Sequence, residues 1–106
     1  MMYLAGPYTH DDPAVVQARY EAHRRATARL CAAGNVVFSP IVHGHHLLPE
    51  LPGWRHEEWI AFDYAILRHC SRLYVLQIDG WDVSRGTACE IEFAKQYGIP
   101  IEYIGG

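Results

Sequence analysis

The sequence predicts an α/β fold, a small doubly wound parallel sheet of four to five strands with flanking helices. Short apolar segments alternate with longer segments of helical periodicity along the whole chain. The segment RLYVLQI, residues 72–78, is apolar without polar alternation, as expected for a strand that is covered on both faces. Strands that alternate with helices pair in parallel through right-handed crossovers, which is the Rossmann-like or flavodoxin-like arrangement.

The chain opens with a strand and a long helix. The segment MYLAG forms the strand, which Gly6 and Pro7 end. Asp12 followed by Pro13 is typical of a helix start. The apolar side of this helix carries Val16, Tyr20, His23, Thr27 and Leu30. The arginines fall mostly elsewhere and predict an ordinary solvated face: Arg19, Arg24, Arg25 and Arg29.

Two further strand–helix pairs and a last strand complete the fold. After Gly34 and Asn35, VVFSP (36–40) predicts a strand, and IVHGHHLLPELPGW (41–54) predicts an irregular active-site loop or a broken helix. Helices are predicted over residues 55–70 and 85–97, and IEYI (101–104) is the last strand. Three loops are then expected at the rim where the strands end: the loops after Gly6 and after Pro40, and Asp79 to Gly86.

Bulk composition indicates one globular domain, residues 1–106. Half of the residues are hydrophobic and 20% are charged, and the net charge of −3 argues against nucleic acid or an anionic membrane surface as the partner, although a local basic patch is compatible with an acidic total. No signal peptide or membrane-spanning run is apparent. The three cysteines are widely spaced without a C-x-x-C pair, so a reducing, cytoplasmic location is expected.

Two carboxylate side chains are predicted to point toward the protein interior and not toward solvent. Helical periodicity places Glu90 on the same side as Phe93, toward the sheet, whereas Glu92 points to solvent. Asp63 shares an inward face with Trp59 in the preceding helix. A buried carboxylate serves either a structural network or chemistry. A pair of them suits cleavage at the anomeric carbon of a sugar, where one attacks or stabilises the oxocarbenium ion and the other transfers protons.

Three sequence features together resemble the nucleoside 2-deoxyribosyltransferase superfamily. They are YLAGPY at the start, the inward aspartate before the third strand, and SRGTACEIEFA at residues 84–94. The superfamily contains transferases that exchange bases on deoxyribose and nucleotide N-hydrolases that release the base to water. The resemblance covers nearly the whole chain, except residues 41–54, which leaves the base undetermined.

The resemblance implies roles for several residues. Glu90 matches the nucleophile that attacks C1′, and Asp63 matches the aspartate that moves protons at the base. Tyr3 matches a first-strand tyrosine that orients the glutamate, although a plain strand aromatic is the alternative. Gly6 and Pro7 match the first loop, which lines the pocket. Three aromatic residues either form walls for a base or belong to the core or rim: Tyr8, Trp54 and Trp81.

The residue at position 84 distinguishes two branches of the superfamily. The transferases have an aspartate at this position for a free 5′-hydroxyl, and the N-hydrolases have a serine beside a 5′-phosphate. A hydroxyl and N–H groups at a helix start accept phosphate, whereas an aspartate repels it. Ser84 is equally a plain N-cap, and the two roles are compatible. Gly86 is assigned to the same binding site, and Arg85 adds positive charge.

The histidine-rich segment allows three interpretations. His43, His45 and His46 are weak evidence for a metal, because no ligand set of known spacing accompanies them. His43 follows a strand end most closely and is the favoured pocket-lining histidine. Plain surface histidines are the remaining alternative.

These observations and the resemblance predict an enzyme that cleaves the N-glycosidic bond of a nucleoside or, preferentially, a 5′-monophosphate through a glycosyl ester on Glu90, and that passes the sugar to water or to another base. No cofactor and no metal are expected. The alternative is a non-catalytic nucleotide-binding or sensing module of the same fold. Relatives complete the pocket with a neighbour's residues, so a homodimer or higher homo-oligomer is expected.

Overall fold

A computed structural model describes residues 1–106 and contains one four-stranded parallel sheet. The strands are β1 (Met2–Ala5), β2 (Val37–Phe38), β3 (Arg72–Leu76) and β4 (Ile101–Ile104), in the spatial order β2-β1-β3-β4. The helices are α1 (Pro13–Ala32), α2 (Pro40–Gly44), α3 (His56–Leu67) and α4 (Arg85–Gln96). The predicted doubly wound α/β fold is confirmed, because the strand order reverses between β1 and β3.

The two faces of the sheet bury different side chains. Alternate residues of β1 and β3 point to opposite faces, as the period of a strand requires. The cluster toward α3 and α4 consists of Tyr3, Ala5, Leu67, Cys70, Leu73, Val75 and Ala94. The cluster toward α1 consists of Leu4, Ala26, Tyr74 and Leu76. Both central strands are therefore covered on both sides, and the side chain of Tyr3 lies on the α4 side of the sheet.

Element boundaries differ from the predictions at the segment after β2. Ser39 and Pro40 do not extend the strand, because the Ser39 hydroxyl accepts a hydrogen bond from the Val42 N–H (3.1 Å) and caps α2, with Pro40 in its first turn. Residues 41–54 form the broken helix, in which a 3₁₀ turn at Leu48–Glu50 follows α2. No helix is both long and apolar enough to cross a membrane.

The second long helix and the third strand are shorter than predicted. Helix α3 ends at Leu67 rather than at residue 70, because the Cys70 N–H bonds to the Leu67 carbonyl oxygen in a turn (3.0 Å) that leads into the sheet. Strand β3 ends at Leu76 rather than at residue 78, where its pairing with β4 ends at Ile104.

The turn after β1 requires a glycine at position 6. A Cβ there would lie 2.6 Å from Cε1 of His23 and 3.2 Å from Cβ of Leu76. The His23 ring is fully buried and held by the Pro7 carbonyl oxygen (3.1 Å), so it cannot retreat. We expect Gly6→Ala to lower the free energy of unfolding by about 1–3 kcal/mol in urea titrations. Gly53→Ala is the matched control, since its Cβ meets nothing within 4 Å. An unchanged urea midpoint for Gly6→Ala would contradict this packing.

Candidate active site

A cavity of about 490 Å³ lies at the carboxyl ends of β1 and β3, where the strand order reverses. It is lined by the three loops that were predicted to share this rim, together with the inward faces of α3 and α4. We call it the inner cavity and define it by Gly6, Asp63, Ser84, Gly86 and Glu90. Its volume is in the range of about 300–1,000 Å³ that small-molecule sites occupy.

Glu90 lies at the bottom of the inner cavity. Its side chain is on the sheet-facing side of α4 and only 6% of the residue is exposed. The Tyr3 hydroxyl donates a hydrogen bond to Oε2 of Glu90. Burial raises the pKa of Glu90 to about 8; the Tyr3 hydrogen bond opposes this rise and the charge of Asp63 adds to it. Tyr3 and Glu90 are therefore brought together from residues far apart in the sequence, and the hydroxyl favours the ionised carboxylate.

Asp63 is the second carboxyl of the site. It lines the inner cavity from α3, opposite the first loop. Burial raises the pKa of Asp63 to about 7, and no hydrogen bond opposes this shift. Burial raises the pKa of both carboxyls and the charge of Asp63 adds to the rise for Glu90, so the pair loses its two protons with pKa values of about 7 and about 8. Between these values one proton is shared by the two carboxyls, and the arrangement with the proton on Asp63 supplies a nucleophile and an acid at the same time.

Replacing Tyr3 by phenylalanine tests the hydrogen bond to Glu90. Without the hydroxyl, the pKa of Glu90 is expected to rise further, because the donor that stabilises the ionised carboxylate is gone. If the carboxylate is the nucleophile, the acidic limb of kcat/KM moves to higher pH and the activity at pH 7 falls about tenfold. Tyr74→Phe is the matched control, since Tyr74 is a buried tyrosine on the other face of the same sheet. An unmoved limb in Tyr3→Phe would contradict the role of the hydroxyl.

The start of α4 forms the second half of the inner cavity. The Ser84 hydroxyl oxygen accepts hydrogen bonds from the Thr87 N–H (3.3 Å) and the Thr87 hydroxyl (2.9 Å), so Ser84 is the N-cap. Its own O–H remains free to donate. The N–H groups of Arg85 and Gly86 have no acceptor within the helix. This end of the cavity therefore offers several donors to an anion.

Arg19 also lines the inner cavity, although the sequence predicted a solvated face for it. Its guanidinium donates to the carbonyl oxygens of Thr9 (2.8 Å) and Asp79 (3.3 Å) and so connects the first loop with the loop before α4. No carboxylate neutralises it, because Arg72–Glu102 is the only ion pair of the protein. Gly80 accommodates the guanidinium: its φ is +90°, and a Cβ there would lie 2.6 Å from Nη2.

Sequence periodicity could not identify Arg19, because α1 crosses the cavity edge only near its first turns. The sequence also did not predict that His10 and His56 line the inner cavity. His10 lies in a loop and His56 at the start of α3, where helical periodicity does not show which way a side chain points. Trp59 is different. Its helical spacing from Asp63 places it on the same face, and it lines the cavity beside Asp63.

Three predicted site residues do not line the inner cavity. Pro7 is fully buried, and only its backbone carbonyl is engaged, by His23. The His43 ring is stacked on Phe62 (centroids 5.4 Å apart, 9° between planes), so the short helix α2 points it away from the cavity. Trp81 packs on the core and on Tyr103 (5.5 Å). The side chains of these three residues do not line the inner cavity, whereas Gly6 and Tyr8 do line it; the part that the three would take in substrate binding stays a prediction.

The other histidines of the broken helix join an aromatic cluster. The His45 ring is stacked on Tyr20 (centroids 3.8 Å apart, 16° between planes), and its Nδ1 is hydrogen-bonded to the Tyr8 hydroxyl (2.7 Å). His46 meets the Tyr20 hydroxyl at 3.4 Å. No group of three or more histidine, cysteine, aspartate or glutamate side chains converges in a way that would hold a metal ion.

Comparison with known proteins gives one family. A family model described as a domain of unknown function (DUF1937) matches residues 1–105, which is nearly the whole chain. No curated protein matches the chain. The family description assigns no activity, so the function is inferred from the geometry of the site.

Proposed function

The chain belongs to the DUF1937 family of domains of unknown function, and we propose that it is an N-glycosidase that cleaves a nucleoside 5′-monophosphate. The observation that carries the proposal is a buried carboxyl, Glu90, that receives a tyrosine hydrogen bond and faces a cavity together with a second carboxyl, Asp63. A fold has no structural need for this arrangement, because an apolar pair of the same volume would avoid the cost of desolvation. The resemblance to the nucleoside 2-deoxyribosyltransferase superfamily supports the same chemistry.

In the proposed reaction, a carboxylate oxygen of Glu90 attacks C1′ of the sugar and forms a glycosyl ester. The C1′–N bond breaks, and its electron pair goes to the base nitrogen, which takes the proton from the Asp63 carboxyl. Water then attacks C1′ and gives a proton back to Asp63, so that the ester is cleaved and the Glu90 carboxylate is restored. A second base in place of water would give transfer instead of hydrolysis.

The monophosphate is proposed because the cavity holds positive charge that no carboxylate neutralises. Arg19 and Arg85 line it without an ion pair, although the chain as a whole carries a net charge of −3. Ser84, with its O–H, and the start of α4, with its first N–H groups, line the same cavity. A phosphate held there leaves the sugar next to Glu90 and the base next to Asp63.

Ser84→Asp separates a phosphate site from a plain helix cap. Aspartate is as good an N-cap as serine, so the fold is expected to be kept, but its charge repels a phosphate. We expect kcat/KM for the monophosphate to fall about 100-fold relative to that for the matched nucleoside. Ser84→Asn, a neutral cap, is the control. Equal losses for both substrates would show that position 84 does not meet a phosphate.

The direct test of the function is incubation with a panel of deoxynucleosides, ribonucleosides and their 5′-monophosphates, with and without a free acceptor base. Chromatography detects the released base and any transfer product.

The second candidate is a nucleotide-binding module, which the donors at the start of α4 favour independently of the carboxyls. Binding of a monophosphate without release of base from any member of the panel would select it. A cytoplasmic location and assembly of several copies remain predictions.

A further inference from the structure

A second cavity of about 540 Å³ adjoins the inner cavity. Asp63, Tyr8 and Trp59 line both, whereas Glu90 and Ser84 line only the inner one. We call the second one the outer cavity. Because it begins at Asp63 and does not reach Glu90, it lies beyond the position of the leaving base in the proposed function, and not beside the sugar or the phosphate.

Aliphatic and aromatic side chains form much of the surface of the outer cavity, and polar residues such as His10, Arg55 and His56 complete its lining. Val16 of α1 and Leu48 of the 3₁₀ turn contribute aliphatic surface, and Trp54 contributes an indole. The Trp54 and Trp59 rings lie edge to face with centroids 4.8 Å apart. Such walls favour a flat, apolar group over a sugar or an ion, since aromatic faces bury planar groups over a large area.

One wall of the outer cavity is held in place before any ligand binds. The Tyr8 hydroxyl is hydrogen-bonded to Nδ1 at the edge of the His45 ring, and Tyr20 stacks on the face of that ring. Tyr8 is thereby fixed at the junction between the two cavities by residues of α1 and of the segment after α2. A preformed wall lowers the cost of ordering on binding, as in sites that select a ligand by shape.

We propose that the outer cavity is a subsite for an apolar, planar substituent on the leaving base, so that the substrate class is nucleotides with an enlarged base. The inference rests on the proposed function, because Asp63 marks the position of the base. A plain base fills the space beside Asp63 and leaves the outer cavity empty. A substituent on its exocyclic amine continues past Tyr8 and Trp59 and buries its surface against Leu48 and Trp54.

The test compares matched substrates that differ only in the substituent. These are deoxyadenosine 5′-monophosphate and its N6-benzyl derivative, and deoxycytidine 5′-monophosphate and its N4-benzyl derivative. We expect at least one benzyl derivative to have a kcat/KM about tenfold or more above that of its parent. Leu48→Trp, which fills the outer cavity with an indole, removes this advantage and leaves the parent unaffected. Val36→Trp, at an exposed position outside both cavities, keeps it.

The other outcomes are separable. Equal or lower kcat/KM for both benzyl derivatives, or equal losses for parent and derivative in Leu48→Trp, overturns the subsite. If the parent nucleotide is consumed faster only when a free base is added, the outer cavity is the site of an incoming base. This result also overturns the subsite for a substituent. If no substrate releases base, the proposed function fails. In that case calorimetry on Glu90→Gln tests the subsite alone. The subsite is still supported if this variant binds a benzyl nucleotide more tightly than the parent nucleotide and if Leu48→Trp, added to it, removes the difference.

Discussion

Glu90→Gln is expected to abolish release of the base and, at the same time, to make the folded protein more stable in alkaline solution. Glutamine keeps the shape of the side chain and an oxygen that accepts the Tyr3 hydrogen bond, but it cannot attack C1′. Loss of the nucleophile is expected to lower kcat about 1,000-fold or more. The measurement is single-turnover release of base by the variant and the wild type at pH 7.5.

The stability change has the opposite sign and depends on pH. The pKa of Glu90 is about 8 in the folded protein against an ordinary value of 4.5, so the folded state binds the proton more tightly than the unfolded state. Stability therefore falls as the pH rises from about 4.5 to about 8, and the loss is complete above that range. Since glutamine carries no charge at any pH, Glu90→Gln escapes this loss. We expect it to exceed the wild type by about 2 kcal/mol or more at pH 9 and to match it near pH 5.

Urea titrations of both proteins at pH 5, 7 and 9 measure this difference. Glu92→Gln is the matched control, because Glu92 is an exposed glutamate of the same helix and its replacement leaves both activity and stability unchanged within about 0.5 kcal/mol. If Glu90→Gln and the wild type had the same free energy of unfolding at pH 9, the ionised Glu90 carboxylate would not destabilise the folded protein. Full activity of Glu90→Gln would remove Glu90 from the mechanism.

The second large effect is the pH dependence that Asp63 imposes. The carboxyl pair holds two protons in acid, one near neutrality and none in alkali, with pKa values of about 7 and about 8. Only the one-proton form in which Glu90 is ionised and Asp63 carries the proton has both a nucleophile and an acid, and it exchanges with the form in which the proton lies on Glu90. The profile of kcat/KM is therefore expected to be bell-shaped with its maximum between about pH 7 and 8.

Asp63→Asn is expected to lower kcat/KM about 10²–10⁴-fold near neutral pH, because asparagine cannot protonate the leaving base. The alkaline limb of the profile then disappears, since no acid remains to be lost, while the acidic limb of Glu90 remains and moves to lower pH, because the charge of Asp63 no longer raises the pKa of Glu90. Asp11→Asn, at an exposed position in the first loop, is the control for removal of an aspartate charge. An alkaline limb that persists in Asp63→Asn would assign the acid to another group.

Much of the fold and part of the site follow from sequence pattern. The unbroken apolar run at residues 73–76 requires cover on both faces, and the observed parallel sheet supplies it from α1 on one side and α3 and α4 on the other. The inward position of Glu90 follows from helical spacing, which fixes the direction of a side chain relative to its neighbours in the same helix. The burial of Glu90 agrees with this expectation.

Sequence pattern did not predict the contacts between segments that are distant in the chain. His43 was expected at the cavity because it follows a strand, but Ser39 caps a short helix that turns the imidazole toward Phe62. Arg19 was expected in solvent, but two backbone carbonyls from separate loops fix its guanidinium at the cavity. The stacking of His43 on Phe62 and the two carbonyl contacts of Arg19 have no local signal, because these partners are remote in the chain.

The sequence by itself determined the order of strands and helices, the parallel sheet and the inward direction of two carboxylates, because these follow from periods of two and 3.6 residues and from turn residues within a few positions. The contact of Tyr3 with Glu90 was implied by the family resemblance and not by local pattern, and the structure contains it. Only the tertiary structure decided that Arg19 rather than His43 lines the inner cavity and that a second cavity opens at Asp63. The physical reason is that local pattern fixes the direction of a side chain, whereas its partners depend on how separate elements pack.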